Sequence, residues 1–186
     1  MNVYDFDGTI YKGDSTVDYY LYVLRKKPAV IRFLPKQLWG MLLYILHRID
    51  KTEMKEYFYS FLRGTDNEKM VAEFWKLNIC KIYTWYLDSH MNDDIVISAS
   101  PEFLLLPACD MLGIKHLIAS RVDPITGIYT GKNCRGAEKV CRLYAEFGKI
   151  SIDKFYSDSH SDQPLADIAK EAYLITKGNI TKWCSD

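Results

Sequence analysis

The chain has 186 residues, with 24 basic and 24 acidic side chains, a net charge of zero and a pI near 6.9. Such a length buries one substantial core plus a small accessory subdomain, and the charge balance disfavours a broad basic surface for nucleic acid. The five cysteines, Cys80, Cys109, Cys134, Cys141 and Cys184, are odd in number and form no Cys-x-x-Cys pair; they read as reduced thiols of a cytoplasmic protein rather than a disulfide framework or a zinc site.

The first predicted element is a short apolar strand ending at Val3-Tyr4, followed by Asp5-Phe6-Asp7-Gly8-Thr9. Residues i and i+2 of a strand project to one side, so Asp5 and Asp7 reach the same site. Carboxylates that close repel, and a divalent cation relieves the repulsion. Hard oxygen donors suit Mg2+, which keeps part of its shell for water or substrate phosphate. The pair points to phosphoryl chemistry, although Asp is also common in turns for its local hydrogen bonds. With the strand beginning next to Met1, no signal peptide is expected ahead of Asp5.

From Asp14 to about His90 the pattern is helical, broken at Pro28, Pro35 and Gly64, with capping-box signals over Ser15 to Asp18 and Thr65 to Glu68. No stretch of it alternates like a sheet. Phe33 to Ile49 is apolar around most of its circumference, as expected of a helix that is buried or in lipid. It is too short and too flanked by charge for a membrane span, which needs ~20 apolar residues. Around it stand Arg25, Lys26, Lys27, Arg32, Lys36, Arg48, Lys51 and Lys55, opposed only by Asp50 and Glu53. Two readings stand: a core helix with solvated ends, or an interfacial element on anionic lipid.

From Asp94 onward strands and helices alternate. Asp94 to Pro101 reads as a strand, a phosphate-binding turn at Ser98-Ala99-Ser100 and a helix start, the two serines serving equally as helix caps. A helix from Pro101 to Leu112 ends at Gly113, and Lys115 to Ser120 is the next strand. Asp123 to Gly127 turns a hairpin between Ile118–Val122 and Ile128–Thr130. A helix begins after Gly136 with Lys139 in its first turn, where a cation opposes the helix dipole unless an anion is near. Lys154 to Ser157 is a strand delivering Asp158, and Asp162 starts a helical stretch. Ala172 to Thr176 is the last predicted strand, and Lys177 to Cys184 either packs on the core or frays. This alternation implies an α/β fold: a parallel sheet with helices on both faces and ligands at the carboxyl ends of the strands.

Taken together, the four motif segments resemble the haloacid dehalogenase superfamily of phosphohydrolases, whose motifs stand here in order as Asp5, Asp7 and Thr9, then Ser98, then Lys139, then Asp158 with Asp162. The resemblance implies a Rossmann-like core of residues 1–13 and 92–186, with an all-helical type-one cap of residues 14–91 inserted after the first strand. That cap is typical of the subgroup that includes phosphoserine phosphatases. It also implies that Asp5 is the nucleophile forming an aspartyl phosphate and Asp7 the acid and base. Mg2+ would be held by Asp5, Asp7 through its carbonyl, Asp158 and Asp162, and the phosphoryl group by Thr9, Ser98, Ala99 and Lys139. Asp14 stands where phosphoserine phosphatases carry a substrate-contacting glutamate, and is equally placed to cap the first helix. Related pump ATPases and dehalogenases lack the acid at position 7, so a phosphatase is expected.

For substrate, the basic, apolar helical region together with Asn133 to Val140 and Tyr156 to Leu165 looks like the phosphatidylglycerophosphatase C type, from which the chain departs in a shorter hydrophobic region. That likeness implies a phospholipid head-group phosphate and peripheral contact with an anionic membrane. A soluble phosphomonoester such as phosphoserine is the alternative, followed by a phosphotransferase or a silent phosphate-binding module.

Overall fold

The structure, a computed structural model, describes residues 1–91 and 93–184. Six strands, β1 (Asn2–Tyr4), β2 (Ile95–Pro101), β3 (His116–Ser120), β4 (Ile152–Ser157), β5 (Ala169–Thr176) and β6 (Asn179–Lys182), form one sheet in the order β3-β2-β1-β4-β5-β6. The first five run parallel and β6 is antiparallel to β5. The three motif-bearing strands are therefore adjacent, with β1 between β2 and β4. After β1 the chain winds outward through β2 and β3, then restarts on the other side at β4, so the strand order reverses beside β1. Ligands of open parallel sheets bind at such a reversal, beyond the carboxyl ends of the strands.

Between β1 and β2 lie α1 (Ser15–Lys26), α2 (Leu34–Ile45), α3 (Lys51–Phe58), α4 (Asn67–Asn78) and α5 (Thr84–Ser89), joined in part by 3-10 turns; α6 (Glu102–Leu112), α7 (Ala137–Phe147) and α8 (Gln163–Ala166) follow. Alternating side chains divide the core between the two sheet faces. Tyr4 and Val96 enter one apolar cluster, while Val3, Ile95 and Ile97 enter the other with Leu143 of α7 and Leu165 of α8. On the first face α6 is joined by the helical segment: Tyr19, Phe61, Phe74 and Trp75 share a cluster with Phe6, Leu104 and Ala119. Trp75 also donates its indole N–H to the carbonyl of Leu104 at 2.6 Å.

Several local expectations shift. Both of these caps sit one residue from the capping-box reading: Asp14, one before Ser15, accepts from the backbone N–H groups of Thr16 and Val17, and Asp66, one after Thr65, accepts from that of Lys69. Ser15 is instead the first residue of α1: its N–H donates to Asp7, and its hydroxyl makes no capping bond. The capping box belongs to Asp50 with Glu53 at the start of α3. The hairpin after β3 reduces to a single bridge, Val122 with Tyr129, held by Asp123 accepting from the N–H groups of Ile125 and Thr126. The tail does pack, as edge strand β6, and Trp183 behind it donates to the Gln163 side chain at 2.9 Å.

The reading of α2 as a core helix is overturned. Gln37 and Gly40 are its buried residues, whereas Leu38, Trp39 and Ile45 are 60%, 56% and 63% exposed. The helix packs on α3 along a narrow strip, where a β-carbon at Gly40 would overlap the Tyr57 ring. Among the described residues no helix is long and apolar enough to cross a membrane.

Candidate active site

The site grows out of the turn after β1. Asp5 still pairs as a strand residue, its N–H donating to the carbonyl of Tyr156 at 2.9 Å. The chain then folds back: the Phe6 carbonyl accepts from the N–H groups of Ile10 and Tyr11, and the Gly8 N–H donates to the carbonyls of Tyr11 and Gly13. Gly8 takes φ +72°, and its bare Cα lies against the Asp158 carboxylate at the end of β4.

Opposite this turn, the pairing of β2 with β3 slips between Ser98 and Pro101. Such irregularities re-aim side chains, and this one turns two hydroxyls inward. Ser98 Oγ accepts from the Ser100 N–H, while Ser100 Oγ donates to Asp7 Oδ2. The other Asp7 oxygen accepts from the Ser15 N–H at 2.6 Å, so both oxygens are fixed. Asp5 is held differently. Lys139, 2% exposed in the first turn of α7, donates at 2.7 Å to Asp5 Oδ1 and at 2.6 Å to Asp162 Oδ2, and Ser157 Oγ donates to the same Asp162 oxygen. The cation that looked misplaced at a helix N-terminus is paid back by two carboxylates.

Burial drives the electrostatics. It raises Asp5 to about 7, against the opposing pull of Lys139 and with the charge of Asp162 adding to it. It raises Asp7 to about 6, with the Asp14 charge adding and the bonds from Ser100 and Ser15 opposing. Burial works to lower the Lys139 ammonium, but Asp5 and Asp162 outweigh it and hold its pKa above the usual lysine value. A second lysine behaves oppositely: Lys55 of α3 is pushed down to about 8, by burial first and then by Lys51. Its Nζ donates to the Ala99 carbonyl at 3.0 Å.

These groups line a cavity of about 370 Å³. It gathers Asp5, Asp7, Asp14, Ser98, Ala99, Lys139, Asp158 and Asp162, all named from sequence. Thr9 is absent from the lining: it is fully buried under the turn, its hydroxyl without a partner. Asp14 faces the cavity while acting as the N-cap of α1. Ser100, read from sequence only as part of the turn after β2, is brought by the bulge to Asp7, and Lys51, Met54, Lys55, Arg135, Ser159 and Ser161 were missed as site residues. The i, i+4 spacing of Lys51 and Lys55 placed them on one helix face, but not which way that face looked.

Asp5, Asp158 and Asp162 offer the hard oxygen donors that Mg2+ selects, and Gly8 gives Asp158 the room to approach the Asp5 turn. Among the described residues no three Asp, Glu, His or Cys side chains are gathered closely enough to hold a metal by themselves; the Lys139 ammonium bridges Asp5 and Asp162. A larger open cleft of about 740 Å³ beside β3 lies away from these groups. Its Arg142 is committed to the carbonyls of Ala119 and Lys132 and to Glu138.

The profile of the haloacid dehalogenase-like hydrolases matches residues 3–167, and the chain belongs to that family. A histidinol-phosphatase of Neisseria meningitidis serogroup C (strain 8013) is 30% identical across 70% of this chain and 61% of its own length, so the chain spans about three fifths of that relative. Among solved structures, a protein of unknown function from Bordetella pertussis Tohama I superposes with a TM-score of 0.73 at 20% identity, covering 92% of this chain and 87% of that one. A phosphoserine phosphohydrolase-like protein from Francisella tularensis subsp. tularensis SCHU S4 gives a TM-score of 0.60 at 16% identity, over 92% of this chain and 86% of its own. At those identities the likeness concerns the fold, an α/β core with a mostly parallel sheet.

Proposed function

We propose that the chain is a Mg2+-dependent phosphomonoesterase working through an aspartyl phosphate on Asp5. The observation that carries the reading is the division of labour between two neighbouring carboxylates. Asp5 stands at the tip of the central strand against Lys139, whereas Asp7 is clamped at both oxygens by Ser15 and Ser100. A carboxylate oxygen of Asp5 attacks phosphorus as the bond to the leaving alcohol breaks, and Asp7 gives that alcohol its proton. Water then attacks the phosphorus, Asp7 takes the water's proton, and the bond to Asp5 breaks to release phosphate. A pKa near 6 suits Asp7 to both proton transfers close to neutral pH.

Asp5, Asp158, Asp162 and the Asp7 carbonyl would hold the Mg2+, which when bound supplies positive charge that keeps Asp5 ionised and offsets charge on the phosphoryl oxygens. Ser98, Ala99 and Lys139 would bind those oxygens from the other side, and Thr9 would act from beneath the turn by holding its shape. Residues 14–91 would form the cap that excludes competing water.

The cavity wall favours a substrate with further negative charge. Lys51, Lys55 and Arg135 line it, with Asp14 as the acid that faces them. A phospholipid head-group phosphate such as phosphatidylglycerophosphate, whose phosphodiester adds an anion, fits that wall. The soluble alternative, phosphoserine, offers a carboxylate for the cations and an amine for Asp14. Histidinol phosphate offers them no second anion. The place of action would be the cytoplasm, at a membrane surface for the lipid.

The test is phosphate release from p-nitrophenyl phosphate with Mg2+, beside an Asp5→Asn variant. Comparable activity in the two sinks the assignment of the nucleophile. A panel of phosphatidylglycerophosphate, lysophosphatidic acid, phosphoserine and sugar phosphates then ranks the substrates by kcat/KM.

A further inference from the structure

We infer that the outward face of α2 docks on an anionic membrane surface. The helix is amphipathic the wrong way round for a soluble domain. Leu38, Met41, Leu42 and Ile45, spaced i, i+3, i+4 and i+7, make one apolar stripe, and all four are exposed, at 60%, 46%, 44% and 63%. Trp39 and Leu46 widen it, at 56% and 57%. The buried positions are a glutamine and a glycine: Gln37, held by the hydroxyl of Tyr20 and the carbonyl of Phe58, and Gly40 against Tyr57. A contiguous apolar stripe left in solvent marks an interaction surface.

Charge selects the occupant. The chain as a whole is neutral, yet α2 and its flanks, residues 32–48, hold the cations Arg32, Lys36 and Arg48 and no acid. All three are exposed. An isologous contact with a second copy would bring this cationic segment against itself, whereas anionic lipid head groups neutralise it and the acyl boundary takes the stripe. At 12 residues the helix is ~18 Å long, shorter than the ~30 Å hydrocarbon core, so it lies in the interface rather than across it. The neighbouring helix of the same hairpin, α3, carries Lys51, Met54 and Lys55 into the lining of the catalytic cavity. Docking of α2 thus sets the site one helix away from the lipid.

The inference is independent of the proposed reaction, so the Asp5→Asn chain tests it as well as the parent. The full chain is sedimented with vesicles of phosphatidylcholine alone and with vesicles of phosphatidylcholine mixed with phosphatidylglycerol. Binding is expected to the mixed vesicles, to be much weaker with phosphatidylcholine, and to be lost toward ~1 M salt, where the Debye length falls to ~3 Å. Trp39→Ser with Ile45→Ser, both exposed and checked for retained helicity by circular dichroism, lowers the partition at least about tenfold. Lys36→Glu with Arg48→Glu lowers it by about as much. Absence of binding at low salt, or binding that the Trp39 and Ile45 substitutions leave unchanged, overturns the inference. So does a concentration-dependent dimer that those two substitutions dissociate in a chain that ignores vesicles.

Discussion

Gly8 and Asp158 are in direct contact: the aspartate side chain lies against the glycine so closely that a β-carbon there would overlap its carboxylate, and Gly8 holds φ +72°. The two residues come from different strand ends, and their fit sets how near the Asp158 oxygens come to the Asp5 turn.

A Gly8→Ala substitution is expected to act twice. The left-handed backbone costs about 1–2 kcal/mol for a residue with a side chain, lowering the thermal midpoint. If Asp158 holds Mg2+ as proposed, displacing it is expected to weaken metal affinity, so that the Mg2+ needed for half-maximal phosphate release rises about tenfold or more. A variant that loses stability but keeps the Mg2+ requirement of the parent would remove Asp158 from the metal-binding role.

Lys139 anchors the two acids that it touches. Lys139→Met leaves Asp5 and Asp162 buried beside each other with the compensating cation gone, and breaking a buried pair in this way costs about 3–5 kcal/mol. Urea denaturation at neutral pH measures it. Adding Asp5→Asn to the Lys139→Met chain removes one of the stranded charges and should restore part of the loss, giving a coupling energy in a double-mutant cycle. Strictly additive effects would mean that the 2.7 Å contact between Lys139 and Asp5 contributes nothing to the fold.

The strand tips were legible in the sequence because both signals there are local. Short apolar runs stop at Asp5, Ser98 and Asp158, and Gly136 announces the helix that carries Lys139. What the sequence obscured depends on neighbours. Of the two candidate caps for α1, Ser15 and Asp14, the sequence did not choose; Asp14 takes the role, and Ser15 opens the helix with its N–H donated across the turn to Asp7. Strand β6 has every residue exposed and so carries no alternation to read. The hydrophobicity of α2 was plain, but composition does not say whether an apolar stripe meets a core or solvent, and here α3 covers only the strip at Gln37 and Gly40. Ser100 reaches Asp7 only because β2 slips its register.

Lys55 gives a pH dependence of definite sign. Its folded-state pKa lies near 8, below the ordinary 10.5, because burial and the like charge of Lys51, with Arg135 adding, outweigh Asp14 and Asp7. Between those two values the unfolded chain binds more protons than the folded one, so stability rises with pH across that window, while below it the penalty for burying the ammonium is constant. The span corresponds to ~3 kcal/mol. Measured against Lys55→Met, which lacks the group, the parent should therefore gain stability as the pH climbs from 8 to 10.5. A difference that stays flat across the window would mean that Lys55 is solvated in solution.

The cation wall of the cavity makes a prediction about selectivity rather than rate. Lys51 and Arg135 line the cavity with Lys55; beside the larger effect of burial, Arg135 helps lower both lysines and Lys51 helps lower Lys55, so the wall is under repulsion that a substrate anion would relieve. Neither residue bonds to Asp5 or Asp7, whose partners are Lys139, Ser15 and Ser100. Arg135→Ala and Lys51→Ala should therefore raise KM about tenfold for substrates with a second anion, such as phosphoserine or phosphatidylglycerophosphate, with kcat little changed. p-Nitrophenyl phosphate, which has no second anion, should be nearly indifferent. An equal loss on all three substrates would instead place these cations on the transferring phosphoryl group, and a loss in kcat alone would tie them to closure of the helical segment over the site.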